Sequence, residues 1–184
     1  MIAAAHVTQW AQHAPWPTRE QVEQDLALSR LIAEIANHPL LGNELVFRGG
    51  TCLHKLHMST PRRYSEDLDY VRVTSTGVGP VLDALRDIGK LLDLEARTKV
   101  TQHPKVQFRA EFDSGAPIRI KVEINTYETS PARPLVRIPY TVDSPWWSGQ
   151  ADVQTVRRRS WWRPSCERST NAARDATCST SGWR

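Results

Sequence analysis

Apolar residues along this chain follow first the period of a helix and later the period of a strand. Residues 18–38 predict a long amphipathic helix, because Thr18 and Gln21 form a capping box just ahead of an apolar stripe. The apolar residues at helical spacing are Val22, Leu26, Leu31, Ile32 and Ile35. A second amphipathic helix is predicted over residues 79–94, with Pro80 in its first turn.

Strict alternation begins after the second helix and predicts strands over residues 105–113 and 117–128, joined by the hairpin sequence "DSGAP". In the second of these strands the apolar side is Ile118, Ile120, Val122 and Ile124, and the polar side is Arg119, Lys121, Glu123 and Asn125. The stretch "PLVRIPYTV" predicts an edge strand, since Pro139 interrupts its hydrogen bonding.

Shorter elements precede the second helix. Residues 44–48 predict a strand, "GGT" a turn, "TCLHKLH" about two helical turns, and residues 68–73 another strand. Helices and strands then alternate before a final meander, which indicates an α+β domain with a mixed sheet and flanking helices.

Composition is that of a globular protein. The chain has 184 residues, 40% of them hydrophobic, and no apolar run near the ~18 residues that span a bilayer. The amino terminus lacks the basic and apolar regions of a secretory signal. Three cysteines without metal-like spacing argue against a disulfide framework. We therefore expect a cytoplasmic protein without a membrane partner.

The net charge of +4 is unevenly distributed. Residues 156–184 hold seven Arg against Glu167 and Asp175, a net of +5, so residues 1–155 carry about −1 (4 minus 5). This tail contains three of the seven Trp but no Leu, Ile, Phe or Met. It is expected to be a disordered basic appendage to a domain at residues 1–155.

The stretch "RGGTCLHKLHMSTPRRYSEDLDY" (48–70) carries the candidate chemistry. Asp67 and Asp69 lie two apart on a predicted strand, so both side chains leave one face about 6.6–6.8 Å apart. Paired carboxylates favour a divalent cation, and oxygen ligands favour Mg²⁺ or Mn²⁺. Glycines ahead of a helix let main-chain N–H groups approach a phosphate. Thr51 and Ser65 can donate hydroxyl hydrogen bonds to the same phosphates.

Each piece also has a purely structural interpretation. "GGT" alone is usually a turn, and "SEDLD" alone could be a solvated loop or a helix cap. Glu123 is the candidate for a third metal carboxylate, but taken on its own the pattern favours an exposed mixed-charge sheet face with Lys121 and Arg119. Cys52 is more typical of a small apolar filler than of a nucleophile.

The order of these motifs, "LVFRGGTCLHKL…RRYSEDLDYV", closely resembles the AbiEii/AbiGii toxin family of nucleotidyltransferases, in the polymerase-beta-like superfamily, over roughly residues 20–155. The resemblance implies that the nucleotide phosphates are cradled by Gly49, Gly50, Thr51 and Ser65. Arg63 matches a basic position that would neutralise phosphate. The resemblance further implies that Asp67 and Asp69 hold divalent metals. Glu123 is the least certain match, to the family's third acid.

The same resemblance implies a reaction and partners. Family members are toxins of toxin–antitoxin or abortive-infection pairs, so an NTP substrate and a cognate antitoxin are expected. Some members transfer nucleoside monophosphates to the 3′ end of tRNA. Transfer to a protein or a small molecule, and a catalytically inactive remnant that binds only nucleotide or antitoxin, stay open as alternatives.

The chain departs from the family after about residue 155. The family continues with a Lys in an "ATKLRAL"-like run and an Asp in an "RDLFDL"-like segment, and this chain shows neither. Suppose that the codon of Ser160 is AGC and that translation starts again at its third base, in a shifted frame. A choice of synonymous codons for the residues that follow then encodes "LVATKLRALYQRRKGRDLFDLWL". We therefore hypothesise an out-of-frame tail that begins near Thr155 or Val156. A natural Trp- and Arg-rich tail that binds RNA by charge and stacking is the alternative.

Overall fold

The computed structural model describes residues 2–58, 64–101, 103–111, 117–126 and 134–157. The helices are α1 (Ala4–Trp10), α2 (Arg19–Asn37), α3 (Leu41–Glu44), α4 (Gly49–His57) and α5 (Gly79–Leu91). The strands are β1 (Leu45–Arg48), β2 (Asp67–Arg72), β3 (Glu95–Lys99), β4 (Lys105–Glu111), β5 (Pro117–Asn125), β6 (Leu135–Asp143) and β7 (Ser148–Val156).

All seven described strands form one mixed sheet in the order β3-β4-β5-β2-β1-β7-β6. Two pairings are parallel, β2 with β5 and β1 with β7, and the other four are antiparallel. Sequence-distant strands therefore meet at the centre, where β2 lies between β1 and β5. The expected α+β class with a mixed sheet and flanking helices is confirmed.

Helices cover one face of this sheet and form the core with it. The stripe predicted on α2 is buried, with Leu26, Leu31 and Ile32 fully inside. On α5, Gly89 lies so close to Phe108 and Ala96 that a β-carbon would be 2.9 and 3.3 Å from them. Because α5 packs on the apolar face of β3 and β4, their polar face points the other way.

Local signals in the sequence correspond closely to the observed elements. The Thr18 side chain accepts a hydrogen bond from the Gln21 main-chain N–H at 3.3 Å, as the capping box predicts. Pro139 lies on β6, which is an edge strand of the sheet, in agreement with the prediction. The glycines predicted to form a turn instead begin α4, because the helix starts at Gly49 directly after β1.

Four elements were not anticipated from the sequence: α1, α3, β3 and β7. The strand β7 ends at Val156, so the predicted boundary between residues 155 and 156 falls at the end of this strand. Residues 158–184, the greater part of the expected tail, lie outside the described residues. Among the helices that are described, none is long and apolar enough to cross a membrane.

Candidate active site

Two carboxylates lie on the same face of β2. The strand alternates between partly exposed and buried positions, which places Asp67 and Asp69 together and turns Leu68 and Tyr70 into the core. The two acids therefore share one face of the strand, as the alternation in the sequence predicts. The backbone of Asp69 is paired with β1 on one side and β5 on the other, whereas that of Asp67 is paired with β5 alone.

The two glycines place the start of α4 against these acids. Gly49 has φ +85°, a conformation that glycine adopts readily and other residues do not. A β-carbon at Gly49 would lie 2.2 Å from Oδ2 of Asp69, so the carboxylate occupies the space that a side chain would fill. Gly50 has open space around it. The first turn of α4 therefore presents main-chain atoms beside the carboxylates.

Thr51 and Ser65 lie beside the same strand but point differently from the expectation. The Thr51 hydroxyl donates to the main-chain oxygen of Asp67 at 2.6 Å and lies 2.8 Å from the Ser65 hydroxyl. Thr51 is buried, whereas Ser65 is partly exposed. In this arrangement Thr51 fixes α4 to the start of β2, and Ser65 is the hydroxyl that retains access to solvent.

Glu123 joins the acids through the parallel pairing of β2 and β5. Its Cα is the register partner of that of Asp69, and Lys121 is the partner of Asp67. The Lys121 ammonium lies 2.9 Å from Oδ2 of Asp67 and 3.1 Å from Oε1 of Glu123. Lys105 of β4 lies 2.8 Å from the same Glu123 oxygen. Glu123 is thus near the aspartates and also part of a mixed-charge face, as both interpretations of the sequence allowed.

The charges around the site shift the pKa values of its acids in opposite directions. Burial raises the pKa of Asp69 above its usual value, and the nearby Glu123 and Asp67 carboxylates raise it further. The cations Arg48 and Lys121 lower the same pKa, but by less. Hydrogen bonding from Lys105 lowers the pKa of Glu123, and Lys121 adds to that effect. Asp69 is therefore harder to ionise than a free aspartate, whereas Glu123 is easier to ionise than a free glutamate.

A cavity of about 240 Å³ opens beside Asp69, between β1, β2, β5 and the loop before β4. Its lining includes Arg48, Asp69, His103, Glu123 and Asn125. Arg48, His103 and Asn125 were not anticipated as site residues. For Arg48 a signal existed, because it directly precedes the two glycines and its Cα pairs with that of Asp69. A larger cavity of about 330 Å³ elsewhere is mainly apolar and lacks both aspartates.

The residues present fit a divalent cation held by two carboxylates. Asp67 and Asp69 supply oxygen ligands on one face, and Mg²⁺ usually takes one or two carboxylates and completes its shell with water and substrate phosphate. Over the ranges that the structure describes, no group of three or more His, Cys, Asp or Glu side chains is arranged to hold a metal ion. A metal held by Asp67 and Asp69 therefore fits better than one that also needs Glu123.

Two residues singled out in the sequence remain, Cys52 and Arg63, of which the structure describes only Cys52. Cys52 is fully buried, with its Sγ 3.2 Å from the Thr155 hydroxyl and 3.3 Å from the Phe47 carbonyl oxygen. Burial raises its pKa to about 12, which favours the interpretation as an apolar filler over that of a nucleophile. Arg63, the predicted phosphate-neutralising residue, lies outside the described residues.

Comparison with known proteins points to one group. Residues 30–160 match the model of a family described as nucleotidyl transferase AbiEii toxin, type IV TA system. Among solved structures the chain is similar to MenT4, a nucleotidyltransferase toxin from Mycobacterium tuberculosis H37Rv, with a TM-score of 0.62 and 20% identity. The alignment covers 86% of this chain and 56% of that one, so the chain spans just over half the length of that structure. The comparison with curated proteins gave no match.

Proposed function

Because the chain belongs to the AbiEii nucleotidyl transferase toxin family of type IV toxin–antitoxin systems, we propose that it transfers a nucleoside monophosphate from an NTP to an RNA acceptor. The 3′ end of tRNA is the proposed acceptor, and the cytoplasm, where NTP and tRNA occur together, is the proposed compartment. A cognate antitoxin is the proposed protein partner.

One observation carries this proposal: the Asp67 and Asp69 carboxylates share a face of β2 directly beside the Gly49 turn. In the proposed reaction the acceptor 3′ hydroxyl forms a bond to the α-phosphorus of the NTP. The bond between the α- and β-phosphates breaks, pyrophosphate leaves, and the hydroxyl proton passes to water. Such a transfer depends mainly on positioning and charge neutralisation, which this arrangement of acids and main-chain donors suits.

Each site residue has a proposed role. Asp67 and Asp69 would hold Mg²⁺ or Mn²⁺, and the ion would neutralise phosphate charge and orient the attacking hydroxyl. Gly49 and Gly50 bring the first N–H groups of α4 toward the phosphates, with Ser65 as an additional donor. Thr51 acts through Asp67, by holding the start of β2 against α4.

The direct test is transfer of label from each α-labelled NTP to total tRNA in the presence of Mg²⁺, with the full chain. Wild type is expected to label tRNA, and Asp67→Asn to reduce labelling at least about a hundredfold, because a metal-binding carboxylate is lost. Asp87→Asn is the matched control, since Asp87 is an exposed acid on α5, the helix packed on the opposite face of the sheet. Equal labelling by wild type and Asp67→Asn would contradict the proposed site.

A second candidate function is that of a remnant that binds nucleotide or antitoxin without turnover. It is favoured by the sequence after residue 155, which shows neither the Lys nor the Asp segment that the resemblance implies. No labelling by this chain beside an active frame-restored version would support the remnant. Label recovered in a protein or a small molecule instead would point to a different acceptor.

A further inference from the structure

A second feature of the sheet lies next to the candidate site. The face of β3, β4 and β5 that points away from α5 carries a group of cations, here called the basic face, which comprises Arg97, Lys99, Lys105, Arg109 and Arg119. Arg97, Lys99 and Arg119 are exposed, and the other two are partly exposed. Two of the five are offset by acids on the same face, since Arg97 pairs with Glu95 at 2.9 Å and Lys105 with Glu123 at 2.8 Å. No described helix packs on this side of β3 and β4, since α5 contacts their apolar side through Phe108 and Ala96.

The sheet register brings like charges together on this face. The Cα atom of Lys99 pairs with that of Lys105, and the Cα atom of Arg109 pairs with that of Arg119. Like charges directly opposite one another on neighbouring strands destabilise a sheet. Within the described ranges, neither the Lys99 ammonium nor the Arg119 guanidinium makes a hydrogen bond or an ion pair to offset this cost.

The basic face leads directly into the candidate site. One row of register partners runs across the sheet from Lys99 through Lys105 and Glu123 to Asp69. With neighbouring strands about 4.8 Å apart, Lys99 lies roughly 14 Å from the strand that carries Asp69. A ligand that occupies both the basic face and the candidate site must therefore carry negative charges along this distance. The end that reaches the aspartates must be uncharged.

We propose that the basic face binds the phosphate backbone of the RNA acceptor and directs its 3′ end toward Asp67 and Asp69; this rests on the proposed function. RNA meets both requirements, because its phosphates repeat along the chain while its 3′ terminus is a neutral sugar hydroxyl. An acidic protein offers anions but no reactive neutral end for the aspartates. The binding is independent of sequence, because phosphate contacts carry no base information.

Binding is measured with the full-length chain and a short fluorescein-labelled oligouridine over a series of salt concentrations, in EDTA and without NTP. The double variant Lys99→Gln/Arg119→Gln is expected to bind roughly tenfold more weakly near 0.1 M salt. The slope of log affinity against log salt should fall by about 1.4, from two lost contacts at ~0.7 each for a single strand. The arginines of residues 156–184 contribute equally to wild type and variant, so the difference reports on the basic face.

Lys90→Gln is the matched control, because Lys90 is an exposed cation on α5, which packs on the opposite side of the sheet. It is expected to leave affinity and salt slope unchanged. Unchanged RNA binding by the double variant, or an equal loss in Lys90→Gln, would overturn the proposal. Tighter binding of poly-glutamate than of RNA would also overturn it, since the face would then suit an acidic protein.

The same variants separate this inference from the proposed function. If Asp67→Asn abolishes labelling of tRNA while the double variant binds RNA like wild type, the function stands and the basic face does not bind the acceptor. If the double variant loses RNA binding while wild type labels no tRNA, the results support RNA binding by the basic face and contradict the proposed transfer reaction. Circular dichroism of each variant confirms that the fold is retained.

Discussion

The β-carbon that Gly49 lacks would lie 2.2 Å from Oδ2 of Asp69, deep inside van der Waals contact. Gly49 also has φ +85°, which side-chain-bearing residues adopt only with strain. Backbone conformation and available space thus both require glycine at this position. The glycine turn at the start of α4 and the acid of β2 therefore form one structural unit.

The first prediction concerns that unit. Gly49→Ala should lower the free energy of unfolding by about 1–3 kcal/mol, because the new methyl group must displace the Asp69 carboxylate or the strained backbone must relax. The displaced carboxylate should also reduce nucleotidyl transfer strongly. Urea denaturation gives the stability, and label transfer to tRNA gives the activity.

Gly50→Ala is the stability control for this prediction, since a β-carbon at Gly50 meets no atom within 4 Å. Its free energy of unfolding should equal that of wild type or exceed it by up to about 1 kcal/mol, because alanine is the better helix former. If both variants were equally stable, the close contact between Gly49 and Asp69 would not describe the folded protein.

A second prediction concerns the opposite end of β2, where Arg72 and Glu44 form a buried ion pair with an N–O distance of 2.6 Å. Arg72→Met removes one partner and leaves Glu44 buried without its cation. The free energy of unfolding should fall by about 3–5 kcal/mol, as is typical when one member of a buried pair is lost. Urea denaturation measures the change.

The double variant Arg72→Met/Glu44→Met tests whether the loss comes from the unpaired charge. It should regain most of the stability, because an apolar pair of similar volume often replaces a buried ion pair at little cost. A single variant that lost less than about 1 kcal/mol would indicate that the pair is exposed to water in solution.

A third prediction concerns Cys52, whose pKa is raised to about 12 by burial. The thiolate is the reactive form, and at pH 8 only about one thiol in ten thousand would be ionised. Iodoacetamide should therefore leave Cys52 unmodified in the folded protein and alkylate it after unfolding in urea. Peptide mass spectrometry resolves this cysteine from Cys166 and Cys178, and rapid alkylation of the folded protein at Cys52 would contradict its burial.

Local periodicity was sufficient to predict much of the site. The alternation in β2 placed Asp67 and Asp69 on one face without knowledge of neighbouring strands, because side-chain direction in a strand depends only on residue parity. The cap at Thr18 and the apolar stripe of α2 were likewise readable from residues close in sequence. Such features follow from backbone geometry that a short segment determines by itself.

Features that depend on distant residues could not be read in this way. Glu123 reaches Asp69 only because β5 pairs in parallel with β2, and no spacing in the sequence gives that register. The strand β7 was missed because its inward positions include the small side chains of Gly149, Ala151 and Thr155, a weak signal beside an apolar strand. Its pairing with β1 shows why it forms: Thr155 donates to the Phe47 carbonyl at 2.8 Å.

The last prediction concerns the tail that begins near Val156, which we propose to be an out-of-frame translation. If so, the nucleotide sequence read from the third base of the Ser160 codon encodes "LVATKLRALYQRRKGRDLFDLWL". This segment would restore the Lys and Asp that the family resemblance implies, and it would raise a low rate of transfer in the present chain. A gene with the single frame correction should then encode a chain that labels tRNA at least about a hundredfold faster than the present one, because a positioned cation stabilises the charge developing during phosphoryl transfer. Replacing the restored Lys by Ala should remove that gain while leaving the thermal unfolding temperature unchanged. A nucleotide sequence that does not read this way in the shifted frame would contradict the hypothesis directly.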